Sequence, residues 1–158
     1  DRRLEQIGTP EALELRGLAG LTQGRLAYDA FRRIFDGPRW QALADRGARV
    51  QRPLWASTGT KNPAYSDVLY VDGLIASDTV NTLPEDTLEA FDDHGTLERT
   101  ADADIDESRR IWRALGDVGV DMDDVSAQLE REGVDSFVKS FDELIGAIEA
   151  KRAELQAD

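Results

Sequence analysis

Cysteine is absent from the 158-residue chain, so neither a disulfide nor a thiolate nucleophile is available. The absence fits a reducing cytoplasm. Histidine occurs once, at His94, and the acids are spread along the chain. The ligand clusters of a zinc site are therefore missing, and no metal is expected. Asp121, Asp123 and Asp124 stand close together but lack the spaced glycine and terminal glutamate of a calcium loop. No apolar run reaches the roughly 18 residues that would suggest a membrane-crossing helix, so no membrane span is expected. No apolar segment follows Asp1-Arg2-Arg3-Leu4, so no signal peptide is expected either. Lysine is scarce, at Lys61, Lys139 and Lys151 only.

What is present is acid. The formal net charge is −13, which argues against nucleic acid as a partner, because that needs a basic face. The charge is uneven: residues 1–53 carry ten arginines against seven acids, and the remainder carries nine basic groups against 25 acids. An apolar content of 41% suffices for a core. The length fits one domain or one piece of a larger one.

Thr9-Pro10-Glu11 has the pattern of a helix start, with a hydroxyl cap, proline at the first helical position and an acid in the first turn. Apolar residues at Leu26, Ala27, Ala30, Phe31, Ile34 and Phe35 predict a helical face ending at Gly37-Pro38, with a break among Gly17, Gly20 and Gly24. Trp40, Leu43 and Ala44 predict a short helix closed by Gly47. Val50 to Ser57 reads as a strand whose start is incompletely paired because Pro53 cannot donate. Alternation places Trp55 and Ser57 on one face and Leu54 and Ala56 on the other. The stretch 67–75 has β propensity, but Val68, Val71, Leu74 and Ile75 fit a helix face with Ser66 as cap. Residues 79–83 predict a second strand, followed by a helix opening at Pro84 and ending at His94-Gly95. There the imidazole is expected to cap helix carbonyls. Asp104 and Glu107 have capping-box spacing ahead of Ile111, Trp112 and Leu115. A short helix is expected over 121–131. A separate amphipathic one is expected from Asp135, striped by Phe137, Val138, Phe141, Leu144, Ile145 and Ile148.

Helices alternating with short strands give an α/β class with parallel pairing. Two strands cannot close a parallel sheet, and a complete βα barrel needs about 250 residues. The simplest architecture is the carboxyl-terminal portion of a TIM (β/α)8 barrel, helix-rich and with extra carboxyl-terminal helices. The candidate site is the loop after the first strand, Ser57-Thr58-Gly59-Thr60-Lys61-Asn62, because such carboxyl ends carry ligands. Hydroxyls, loop amides and an ammonium suit a phosphate or a sugar. On composition alone, the residues better suit an ordinary polar loop around Gly59 with Lys61 solvated. The loop is not a Walker motif, since the leading glycine and its spacing are absent.

The run from Gln51 to Val71, centred on Leu54-Trp55-Ala56-Ser57-Thr58-Gly59-Thr60-Lys61-Asn62-Pro63, resembles the seventh-strand segment of bacterial transaldolases. The similarity is to the branch with a long carboxyl-terminal extension. Asp78 to Leu88 resembles the eighth strand and its helix. Arg3 to Gly8, Gly37 to Leu43 and Glu132 to Phe137 also resemble the family, so the match covers nearly the whole chain. The resemblance implies one barrel domain of which 1–158 is the carboxyl-terminal part. Strands seven and eight would lie near 50–57 and 79–83, and the final helices over 104–155. It implies transfer of a dihydroxyacetone unit between sugar phosphates (sedoheptulose 7-phosphate and glyceraldehyde 3-phosphate) in the pentose phosphate pathway, without a cofactor. The Schiff-base lysine would lie on strand four, with its acidic helpers on strands one and three. A phosphate-binding arginine would follow strand six. All would precede Asp1, so no catalytic residue is expected here, and the fragment alone is expected to be inactive. Other branches end strand seven in Ala-Ser-x-Arg, where serine and arginine hold phosphate. Here Ala56-Ser57 matches, Gly59 replaces the arginine, and Lys61 is the only nearby cation. The implied phosphate residues are Ser57 and Lys61, with Thr58 and Asn62 beside them. The implied partners are sugar phosphates and the amino-terminal half of the barrel. The alternative from another class is a non-catalytic helical interaction module, or a decayed half-barrel, docking through the helix from Asp135.

Overall fold

The computed structural model describes residues 1–157. It divides into two compact units at Gly119 and Val120.

In the first unit, α1 (Arg2–Ile7) ends at Gly8, whose φ of 71° is a left-handed stop that glycine adopts without strain. Helix α2 (Pro10–Glu14) begins as its sequence predicts: Thr9 Oγ1 accepts the Ala12 amide and Pro10 opens the first turn. The expected glycine break falls at Gly17, with φ 78°. The long helix therefore starts afresh as α3 (Ala19–Phe35). A short α4 (Pro38–Ala44) follows. Phe31, Phe35 and Trp40 stack in series with centroid distances of 5.1 and 4.6 Å, so the aromatic stripe closes the α3–α4 corner.

Both predicted strands form but contract to two residues each: β1 (Leu54–Trp55) and β2 (Val80–Asn81). The flanking residues explain the trimming. Pro53 has no amide to donate, and Ser57 turns to a left-handed φ of 57°. On β2, Asp78 has φ 59° before the strand and Pro84 closes its far side. The pair is parallel, with Leu54 opposite Val80 and Trp55 opposite Asn81. Val80 N donates to Pro53 O and Thr82 N to Trp55 O, each at 2.9 Å. The proline thus joins the ladder through its carbonyl alone.

Trp55 faces the helical layer, where its Nε1 donates to Leu74 O at 3.0 Å. Leu54, on the opposite face, is 54% exposed. The stretch after the loop resolves in favour of helix as α5 (Leu69–Gly73), although Ser66 serves a turn, accepting the Val68 amide, rather than a cap. Helix α5 and Leu74 just after it lie close against α3. A methyl group on Gly20 or Gly24 would meet Tyr70 or Leu74, and one on Gly73 would meet Leu21. Helix α6 (Glu85–His94) follows β2. Helix α7 (Ile105–Asp117) is capped by Asp104, whose Oδ1 accepts the Glu107 amide at 2.9 Å. Helix α7 packs along α3, where Arg109 reaches Asp29 at 3.0 Å. The core of this unit gathers Leu4, Ala12, Tyr28, Val71, Leu74, Ala101 and Leu115.

The second unit corrects an expectation. The two helices expected over 121–131 and from Asp135 are one, α8 (Met122–Ala157), 36 residues long. Gly133 costs a helix only about 1 kcal/mol relative to alanine, and no proline interrupts the backbone. Asp121 Oδ1 accepts the amides of Asp123 and Asp124 and so caps the start of the helix. Gln128 bonds Glu132 across the run into Gly133. The stripe is exposed, with Phe137 at 81% and Phe141 at 62%. Among the described residues no helix is long and apolar enough to cross a membrane. The chain is thus a helix-rich α/β structure with few strands.

Candidate functional site

The loop that leaves the carboxyl end of β1 is pinned by its own residues. Thr58 is buried, at 4% exposure. Its hydroxyl donates to Asn81 Oδ1 at 2.9 Å and lies 3.4 Å from Thr82 O. One residue on, Gly59 passes so close to the start of α6 that a Cβ would sit 3.0 Å from Thr87 Oγ1 and 3.5 Å from Pro84 Cγ. Thr60 Oγ1 then donates to Asp67 O at 3.4 Å, drawing the two ends of the loop together. Asn62 Oδ1 accepts the Ala64 amide, and Asn62 O accepts the Tyr65 amide, forming a tight Asx turn.

Two longer-range ties hold the far end. Tyr65 Oη donates to Asp1 Oδ2 at 2.6 Å, and Asp1 Oδ1 accepts the Gly17 amide at 2.9 Å. The Tyr65 ring lies against Gly17, 3.0 Å from where a Cβ would stand. On the other side, Asp67 Oδ1 meets His94 Nε2 at 2.9 Å, and Asp93 Oδ2 meets Nδ1 at 3.1 Å. The Asp67 bond, with Asp93 adding to it, pushes the imidazole's pKa above its ordinary 6.5. The same bond holds the Asp67 carboxyl below its ordinary 3.8.

Ser57 and Lys61 are exposed. Neither side chain has a hydrogen bond or ion pair within the loop's network of pins. Asn62 is exposed as well, and its side-chain oxygen serves the turn. Beside Ser57 and Thr58, a cleft of about 310 Å³ opens between β1 and α3, walled by Trp55, Tyr70, Gly20 and Gly24. The arrangement offers a hydroxyl, an ammonium and an amide on a braced backbone, which suits capture of an anion.

Two expectations change here. Thr58 does not present its hydroxyl at the loop surface with Ser57, Lys61 and Asn62. The hydroxyl is buried and engaged under the loop. His94 is the last residue of α6, as expected, but it bonds two carboxylates instead of capping carbonyls, because Asp67 and Asp93 flank both ring nitrogens. The residues that brace the loop, Asp1, Tyr65, Asp67 and Asn81, escape local pattern reading. Their partners lie 64, 64, 27 and 23 residues away.

A parallel strand pair carrying polar loops at its carboxyl ends, layered with helices on one face, defines a βα-type protein, a class that places its ligands at the carboxyl ends of its strands. Residues 2–148 match the family described as transaldolase/fructose-6-phosphate aldolase. Similar curated proteins include the transaldolase of Frankia alni, 50% identical over 149 residues, covering 94% of this chain and 40% of the relative. The transaldolase of Mycobacterium leprae is 52% identical over 147 residues, covering 92% and 39%. That of Mycolicibacterium paratuberculosis is 53% identical over the same length and shares. The chain belongs to the transaldolase/fructose-6-phosphate aldolase family. It spans about two fifths of the length of these relatives.

Proposed function

We propose that this chain is the carboxyl-terminal part of a single transaldolase barrel domain and supplies the phosphate-holding side of its substrate site. On this reading β1 and β2 are the seventh and eighth barrel strands, and the helices from residue 104 onward form the terminal extension. The reaction is transfer of a dihydroxyacetone unit between cytoplasmic sugar phosphates through a lysine Schiff base formed elsewhere in the barrel. The observation that carries the reading is the pair Ser57 and Lys61, exposed on a braced loop at the carboxyl end of a parallel strand.

Lys61 holds the phosphate as a point charge, Ser57 and the Asn62 amide donate to its oxygens, and Thr58 supports them from beneath. A lysine here gives attraction without the bidentate register of arginine. Lys61 is exposed in a polar loop, a setting for charge pairing rather than for an amine that forms a carbinolamine.

The test uses the chain with a ketose phosphate donor and borohydride, followed by intact mass. No reduced adduct is expected. A complete barrel, assembled with the remainder of a longer relative's chain, should gain one adduct outside residues 1–158. An adduct on Lys61 would overturn the assignment.

A further inference from the structure

We infer that His94 is a positioning residue that holds the Lys61 loop in its anion-accepting shape, and that it does so most firmly while its ring is doubly protonated; the inference rests on the phosphate reading of that loop. Helix α6 grips the loop at two places. Its first turn abuts Gly59 through Pro84 and Thr87, and its last residue, His94, binds Asp67. Between these points the loop carries Thr60, Lys61 and Asn62. Asp67 relays the second grip inward, since its carbonyl accepts the Thr60 hydroxyl, immediately before Lys61.

Protonation enters through the partners. Both ring nitrogens face carboxylate oxygens, Asp67 at 2.9 Å and Asp93 at 3.1 Å. A carboxylate only accepts, so both contacts need an N–H, and only the imidazolium has two. A neutral ring keeps one N–H, so it holds only one of the two carboxylates and loses the charge that strengthens the Asp67 tie. Two residues beyond the ring, the Thr96 amide donates to the Asp72 carboxylate of α5. Asp67 and Asp93 together favour the cation. The pKa of His94 is raised from 6.5, so the charge-assisted tie is at full strength below pH 6.5 and weakens as pH rises through the raised value. Asp67, held below 3.8, stays charged throughout that range. The ring is half exposed, so the gain in anion affinity is about two- to fivefold, what an exposed ion pair supplies.

The experiment follows amide shifts of Thr60, Lys61 and Asp67 by NMR in the 158-residue chain between pH 6 and 9, beside the His94 ring signals. Sulfate serves as a probe whose charge does not change over that range. The Thr60 and Lys61 amides should titrate with the His94 midpoint, and sulfate should bind the loop about two- to fivefold more weakly at pH 9 than at pH 6. His94→Gln should lose the titration and bind weakly at every pH, and His94→Arg should bind tightly at every pH. Asp67→Asn separates the tie from simple attraction: the tie requires weaker sulfate binding, whereas attraction alone requires equal or stronger binding because an acid has gone. Amides that ignore the His94 midpoint overturn the positioning role. Coupled amides with no sulfate binding would leave the tie standing and overturn the phosphate reading.

Discussion

The buried hydroxyl of Thr58 donates to Asn81 Oδ1 at 2.9 Å, joining the loop after β1 to the end of β2. Thr58→Val keeps the shape but removes the donor, leaving a half-buried amide oxygen short of a partner. The expected loss of stability is about 1–3 kcal/mol, read as a lowered urea midpoint. Thr58→Ser should recover most of it. A valine variant as stable as the parent would show that the bond contributes nothing net.

The glycines divide into two kinds. Gly17 has φ 78° and the Tyr65 ring 3.0 Å from its would-be Cβ, whereas Gly146 lies inside α8 with open space around it. Gly17→Ala should destabilise by more than 1 kcal/mol, since strain and contact act together. Gly146→Ala should stabilise α8 by about 0.5–1 kcal/mol. Thermal melts followed by circular dichroism check both signs.

Asp102 is a charge node. It accepts from Arg99 at 2.6 and 2.8 Å and from Arg32 at 2.9 Å, with only 13% of its side chain exposed. The Arg99 bonds hold its carboxyl below the ordinary 3.8 despite partial burial. A depressed carboxyl contributes stability above its unfolded value and loses it as pH falls through the folded one. Asp102→Asn should therefore cost about 1 kcal/mol at pH 7, discounted because both arginines are half exposed. The gap between parent and variant should close below pH 3.8 in a pH series of urea melts.

Lys61→Ala in a complete barrel should raise the KM for sugar phosphates roughly ten- to hundredfold, the range of a charge-assisted contact, with kcat little changed. Substrates without phosphate should show no difference. An unchanged KM would remove Lys61 from the site.

Much of this architecture is written locally. Thr9-Pro10 and Asp104-Glu107 mark helix starts because capping is a contact within one turn. The strand at Leu54-Trp55 is visible from alternation, and the loop after it from its cluster of hydroxyls around Lys61. The errors have physical reasons. Gly133 weakens a helix without being able to break it, so two helices were one. Thr58 and Ser57 look alike in sequence, and only packing against Asn81 separates the buried hydroxyl from the exposed one. The braces at Asp1 and Tyr65 join residues 64 apart, which no window of local pattern contains.

The two-residue strands carry a kinetic consequence. Closing the chain between Trp55 and Val80 yields two ladder bonds, Val80 to Pro53 and Thr82 to Trp55. Two bonds are little return for the closure entropy of a loop of roughly two dozen residues. The ladder is therefore expected to form after α5 docks on α3, and the Lys61 loop to take shape after that. In hydrogen exchange, the Val80 and Thr82 amides should open before those in the middle of α3. The Lys61 loop is thus expected to be late to assemble and early to come apart.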